Sequence, residues 1–230
     1  MDFAYNDEQK DIIKVVRDLV QKEIVPYAAE MDETGKLHEG LLDKLAAQGL
    51  LGVAIPEEFG GAGLDAITIA GVYEELAKGC GGVATTVAAN ALASYPVILA
   101  GNDDQKKRYF DVINEDNLAA FALTEPGTGS DAGSVSTRAT KTEDGKGYLL
   151  NGTKCFITNG GLAEIFVVFA NTRKTGGIRG LTPFIVRKGT PGFTIGKEEN
   201  KMGIRASNTT ELIFDNCFVP VEDRLGREGS

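Results

Sequence analysis

Phe121-Ala122-Leu123-Thr124-Glu125-Pro126-Gly127-Thr128-Gly129-Ser130-Asp131 is an apolar, strand-like run that breaks into a loop of threonine, glycine and small hydroxyl residues. The same grammar returns at Lys154-Cys155-Phe156-Ile157-Thr158-Asn159-Gly160. Pro126 halts the first strand, and Gly127 and Gly129 are expected to take backbone conformations closed to residues with a Cβ. Successive N–H groups in such a loop turn inward as an anion nest, with the Thr128 and Ser130 hydroxyls beside them. That chemistry suits a pyrophosphate. In the second stretch Thr158 closes a strand where its hydroxyl can meet a ring nitrogen, and Phe156 offers a flat apolar face. A lone Gly-rich loop is an ordinary connection between strands. Two of this composition point to a ligand.

The residues after the glycines decide the fold class. A dinucleotide fingerprint requires a strand, the glycines and then a helix. Here Ser130 leads into another strand-like stretch, 136–142, so a nicotinamide cofactor bound in that manner is disfavoured. From Leu118 onward hydrophobicity alternates with period two. Strands are expected over 121–123, 136–142, 148–158, 165–170, 181–186, 193–195 and 210–219, separated by Gly-bearing turns such as Glu143-Asp144-Gly145-Lys146-Gly147. That spacing predicts an antiparallel barrel or sandwich.

Upstream the period is helical. Asn6 with Gln9 resembles a capping pair, and Ile12, Val16, Leu19 and Val20 recur at helical spacing until Pro26 ends or kinks the segment. Leu41, Leu42, Leu45 and Ala46 form a short helix stopped by Gly49, and Asp65 and Gly79 bracket a helix as N-cap and C′ residue. The stretch 83–100 is apolar nearly all round, as for a helix buried in a bundle. Asp103 is expected to cap a polar helix through Ile113. The fold class is therefore α+β, an N-terminal α-helical bundle over 1–117 followed by an antiparallel β-barrel or sandwich over 118–230. The boundary falls in the polar Asn114-Glu115-Asp116-Asn117.

The composition narrows the partners. In 230 residues the chain carries a formal charge of −9, which argues against nucleic acid, because phosphate backbones need clustered Lys and Arg. Cys80, Cys155 and Cys217 are scattered, odd in number and without metal spacing, so free thiols and no metal are expected. The lone His38 sits in a polar, glycine-flanked stretch and reads as a surface residue. Met1-Asp2-Phe3 lacks a basic leader, and the longest apolar stretch is interrupted by Thr85, Thr86, Asn90, Ser94 and Pro96. No membrane association and a cytoplasmic location are expected.

The two stretches together resemble the flavin-binding signatures of the acyl-CoA dehydrogenase family. Four further segments look like the family's, in its order: Ile55-Pro56-Glu57-Glu58-Phe59-Gly60-Gly61, Val72-Tyr73-Glu74-Glu75-Leu76-Ala77, Lys201-Met202-Gly203-Ile204-Arg205 and Phe214-Asp215-Asn216-Cys217-Phe218-Val219-Pro220. The resemblance covers essentially the whole chain. It implies FAD as cofactor, contacted by Phe121, Leu123, Thr124, Gly129, Ser130, Phe156, Ile157 and Thr158. Phe156 stands where the family usually has tryptophan against the isoalloxazine, and Thr158 where a threonine bonds the flavin ring.

On the substrate side the resemblance implies acyl-CoA, with Ser130 between the flavin pyrophosphate and the acyl-CoA and Ala84, Thr85 and Ala88 where the family sets the depth of the acyl tunnel. Small-residue packing between helices is an equal reading of those three positions. The implied reaction is α,β-dehydrogenation of an acyl thioester, with electrons passed to an electron-transfer flavoprotein by a homo-oligomer. An acyl-CoA oxidase of the same fold, or a non-catalytic flavin- or acyl-CoA-binding module, are the alternatives. The family's second helical domain, which carries the catalytic glutamate, has no counterpart before Ser230. No catalytic residue is assigned, and low flavin affinity and no turnover are expected of this chain alone. Glu74, Glu75 and Glu125 read as structural, Glu125 because strand alternation turns it away from the face of Thr124.

Overall fold

Asn6 accepts from the Gln9 N–H while the Gln9 side chain accepts from the Asn6 N–H, so the first helix, α1 (Asp7–Leu19), opens on the capping box the sequence predicts. The structure, a computed structural model, describes residues 4–173 and 177–229, so Met1-Asp2-Phe3 and Ser230 lie outside the described residues. Pro26 has no N–H to give and its ring crowds the carbonyl a turn back. The chain answers with a wide π turn at Val20–Ile24 and a 3-10 turn at Val25–Tyr27 before α2 (Ala28–Thr34). After α3 (Leu41–Ala47), Gly49 takes φ +69 and lets the chain reverse.

The next helices are α4 (Ala66–Gly79), capped by Asp65, α5 (Gly81–Ala100) and α6 (Asp103–Asn114). Two caps differ from expectation. Asn102, not Asp103, caps α6, because Gln105 lies at the spacing that completes a second capping box. Gly79 is the last residue inside α4 rather than a left-handed C′ residue. A Cβ there would sit 2.6 Å from Val20 Cγ1, so glycine is required for close approach and not for φ.

Helix α5 also departs from the fully buried reading. By length and composition it could cross a membrane, with a mean hydropathy of 1.5, yet 56% of that window is buried against the rest of the protein. Buried Thr86, Asn90 and Ser94 spend their polar groups on backbone carbonyls. Its remaining stripe, with Leu92, Tyr95 and Leu99 exposed, faces outward.

The strands are β1 (Ala119–Ala122), β2 (Arg138–Lys141), β3 (Gly147–Thr158), β4 (Ile165–Asn171), β5 (Leu181–Arg187), β6 (Phe193–Glu198) and β7 (Thr209–Pro220). They form one curled sheet in the order β1-β4-β2-β3-β7-β6, with β5 on β4. Most pairs are antiparallel as expected, but β1 runs parallel to β4, which makes the sheet mixed. Strand β2 is shorter than 136–142: the Ser136 and Thr137 N–H groups donate to the Glu125 carboxylate, and only the Thr137 carbonyl, accepting from Asn171 N–H, meets a neighbouring strand. One apolar cluster runs from Val16 in α1 through Val83 and Val87 in α5 to Phe166 in β4 and Leu212 in β7. Each fully buried aliphatic side chain of this kind contributes about 1.5–3 kcal/mol. The helices and the sheet share a core.

Candidate functional site

The site is built where β1 runs out and β3 bulges. Cys155 N–H donates to the Thr124 carbonyl at 2.9 Å, joining the two quoted stretches edge to edge. Glu125 and Thr128 then exchange backbone hydrogen bonds, 2.9 and 3.0 Å, closing a tight turn over Pro126 and Gly127. Gly127 and Gly129 do not take positive φ, contrary to expectation. Their service is open space, since a Cβ on either would meet nothing within 4 Å. Backbone is left bare for close approach.

The strained positions lie in the second stretch. Phe156 has φ +57 and Asn159 φ +63. Between Lys154 and Ile157, β3 carries one residue more than its partner β7, so Cys155 and Phe156 form a bulge. The bulge turns the Phe156 ring out, 64% exposed, although phenylalanine in the left-handed region is disfavoured. Backbone strain of this kind clusters at ligand clamps and active sites, though Ile204, with φ +54, shares it.

The polar atoms divide into spent and free. Thr128, counted with the anion nest from sequence, is buried and gives its hydroxyl to the Ser134 carbonyl at 3.0 Å, so it is withdrawn from the site. Among the described residues no hydrogen bond uses the hydroxyls of Thr124, Ser130 or Thr158, nor the N–H groups of Gly127, Gly129 or Ser130. Ser130 and Gly129 are exposed, and Thr124 and Thr158 half-buried. Bare glycines, free N–H donors, free hydroxyls and one exposed ring fit an anion joined to a planar heterocycle. The remaining predicted contacts are mixed: Leu123 is half-buried, Ile157 is in the core, and the Phe121 ring packs on Phe169 with centroids 5.0 Å apart.

Helix α5 reaches this place through asparagines. Asn159 Nδ2 donates to the Thr86 carbonyl at 3.0 Å and to the Ala119 carbonyl at 3.2 Å, while Asn90 Oδ1 accepts from Ala119 N–H at 2.8 Å. Asn159 N–H donates to Asn208 O at 2.9 Å, binding the loop to the start of β7. Thr85 and Ala88 are half-buried on the uncovered stripe of α5, whereas Ala84 is buried in the core cluster.

The three carboxylates singled out in the sequence are occupied. Glu75 is held by Arg17 and Lys78 and lies down at about 2; the Arg17 hydrogen bond is the largest cause, with burial opposing. Glu74 pairs with Lys78. Glu125 is buried beneath the loop, its Oε1 accepting from Lys154 Nζ at 2.8 Å and Thr137 N–H at 2.9 Å, and its Oε2 from Ser136 N–H and Oγ at 2.7 and 2.6 Å. Burial raises this carboxyl, but the hydrogen bonds from Lys154, Ser136 and Thr137 outweigh it and hold it at about 2. Burial draws the Lys154 ammonium down, with Glu125 opposing.

His38 stacks on Tyr27 at 3.6 Å and meets Glu30, far along the chain from either loop. The three cysteines are free, and no group of metal-binding side chains occurs among the described residues. A cavity of about 390 Å³, lined by Ile12, Val15, Leu19, Leu50, Val53 and Leu64, is apolar and contains neither loop.

Lys154, Asn159 and Asn90 are the residues that sequence reading missed. Lys154 had a signal: alternation along β3 puts it on the inward face with Tyr148 and Leu150, and an inward lysine demands a carboxylate.

Comparison with known proteins shows the family and the fold. Residues 6–115 match the acyl-CoA dehydrogenase N-terminal domain and residues 120–217 the acyl-CoA dehydrogenase middle domain. Butyryl-CoA dehydrogenase from Megasphaera elsdenii superposes with a TM-score of 0.92 at 44% identity, covering 100% of this chain and 61% of that one. A chain in a structure described as the electron transferring flavoprotein of Acidaminococcus fermentans gives 0.94 at 41% identity, covering 100% and 60%. An acyl-CoA dehydrogenase complexed with FAD from Bacillus anthracis gives 0.86 at 38% identity, covering 98% of this chain and 38% of that one. The chain spans 59–61% of the length of the first curated relatives that it matches. With both domain models in sequence and the fold shared throughout, the chain belongs to the acyl-CoA dehydrogenase family, of which it carries the N-terminal and middle domains.

Proposed function

We propose that the two loops are the flavin side of an FAD-dependent acyl-CoA dehydrogenase acting on short-chain thioesters. The observation that carries the reading is the set of uncommitted donors over bare backbone: the N–H groups of Gly127, Gly129 and Ser130 and the hydroxyls of Thr124, Ser130 and Thr158. The chemistry that FAD supplies when bound is acceptance of two electrons from an acyl thioester as a double bond forms between its α and β carbons. Gly127, Gly129 and Ser130 would bind the pyrophosphate, Thr124 and Thr158 the polar edge of the ring system, and Phe156 one of its faces. Phe121, Leu123 and Ile157 act from behind as apolar support. Thr85 and Ala88 offer a smooth wall to the acyl chain, and Ser130 stands between the two ligands.

Glu125 is not the base in this reading, because its carboxylate is spent on four donors beneath the loop. The short-chain preference is supported by the butyryl-CoA relative, and an electron-transferring flavoprotein as acceptor by the Acidaminococcus structure. The test loads the chain with FAD and titrates it with butyryl-CoA and crotonyl-CoA, and separately with NAD⁺. Perturbation of the flavin visible band by the acyl-CoA ligands and not by NAD⁺ is expected. Indifference to both acyl-CoA ligands would contradict the assignment.

A further inference from the structure

We propose that the buried Glu125–Lys154 pair is a positioning element that fixes the two ligand-facing loops relative to each other. The inference rests on the reading of those loops as a flavin site, and its geometry is independent of that reading. Lys154 and Glu125 side chains are 0% and 2% exposed and 2.8 Å apart. Lys154 Nζ also donates to the Leu123 carbonyl at 3.0 Å, one residue ahead of the Thr124 carbonyl that accepts from Cys155. Each loop is thus held by the residue next to its functional groups. Lys154 immediately precedes the Cys155–Phe156 bulge, and Glu125 comes directly after Thr124.

The carboxylate has a second duty. By accepting from Ser136 N–H and Oγ and from Thr137 N–H, it draws the far end of the loop back onto its start. Everything between, including Gly127, Gly129 and Ser130, becomes a closed arch pinned at its base by one charge cluster. Within the arch the Thr128 hydroxyl donates to the Ser134 carbonyl and the Ser134 hydroxyl to the Asp131 carboxylate, while the N–H groups of Gly127, Gly129 and Ser130 and the Ser130 hydroxyl stay free for a ligand.

Stability alone does not require a charged pair here. Two buried ions lose their hydration, and apolar residues of similar volume often hold a core equally well. An apolar pair would fill the space but could not grip Leu123 O, Ser136 and Thr137 at fixed directions. Directionality is what the ions add, as bonds to charged groups are shorter and stronger than neutral ones.

The test uses the full chain as wild type, Glu125→Gln, Lys154→Met and the double variant Glu125→Gln/Lys154→Met. Hydrogen exchange is read at the amides of residues 125–131 and 154–158, with β5 as reference, alongside the thermal midpoint and the FAD dissociation constant. Faster exchange at both loops in each single variant, with β5 unchanged, is expected. The double variant removes the uncompensated charge and should regain most of the thermal midpoint. It should keep the fast loop exchange and an FAD affinity about tenfold or more below wild type. Loop exchange that recovers together with the midpoint would overturn the proposal, leaving the pair a stabilising contact only. Should wild type bind no FAD, the flavin reading fails by itself, and loop exchange still decides whether the pair positions the loops. Where a single variant does not fold, the double variant against wild type decides.

Discussion

At the scale of single residues, two side chains are held at a cost that the fold does not need. Phe156 occupies the left-handed region with its ring 64% exposed, and Lys154 lies wholly inside. Glu125, beside Lys154, carries a pH prediction with a definite sign. Its carboxyl is depressed from 4.5 to about 2 in the folded chain, so the folded state binds its proton less readily than the unfolded one. The stability this contributes is fully present above about 4.5 and is lost as pH falls towards about 2. Melting wild type and Glu125→Gln across this range should show a gap that is constant near neutrality and closes as pH approaches 2. A gap that stays unchanged to pH 2 would mean that the carboxylate charge is not what the variant removes.

Among the elements, the asparagines and glycines at junctions do more than the strands and helices announce. Asn159 and Asn90 lock α5 to the first strand and to the end of β3, so the helix bearing Thr85 and Ala88 cannot drift from Thr158 independently. Gly79 sets how closely α4 meets the π turn. Gly79→Ala gains about 1 kcal/mol of helix propensity. Its Cβ would fall 2.6 Å from Val20 Cγ1 and 3.0 Å from Ile24 Cγ2, both on β-branched side chains that turn poorly. Overpacking of this kind costs about 1–3 kcal/mol, so the net is destabilisation, to be read as a lower urea midpoint with an unchanged slope. A raised midpoint would show that the interface has slack.

The same junctions mark where the sequence was legible. The change of period near residue 117 separated helices from strands, because burial on one face is written directly into side-chain order. The parallel pairing of β1 with β4 was not written there, since period two is the same for either direction. Nor were Gly127 and Gly129 readable as open rather than left-handed, as glycine signals both.

For the whole molecule, one core joins helices and sheet, and contacts on either side of β7 in the chain reinforce it. Arg108 of α6 meets Asp223 at 2.7 Å, and Arg205 gives its guanidinium to the Asp32 carbonyl at the end of α2, 2.7 Å away. The donors left free in the two loops lie where this shared frame brings two distant stretches of chain together. On the reading proposed above, this place is built for a flavin, and Phe156 carries its strain for that reason. Glycine at 156 relieves the left-handed strain while losing some chain stiffness, two effects of about 1 kcal/mol each and opposite sign. The decisive measurement is therefore an FAD titration of wild type and Phe156→Gly, monitored by the visible flavin band, with thermal midpoints in parallel. Weak but saturable binding that reaches one added FAD per wild-type chain, a matched midpoint in the variant, and affinity lower by about tenfold or more once the ring is gone are expected. Equal affinity in the two chains, or no saturable binding to wild type, would contradict a flavin role for the site.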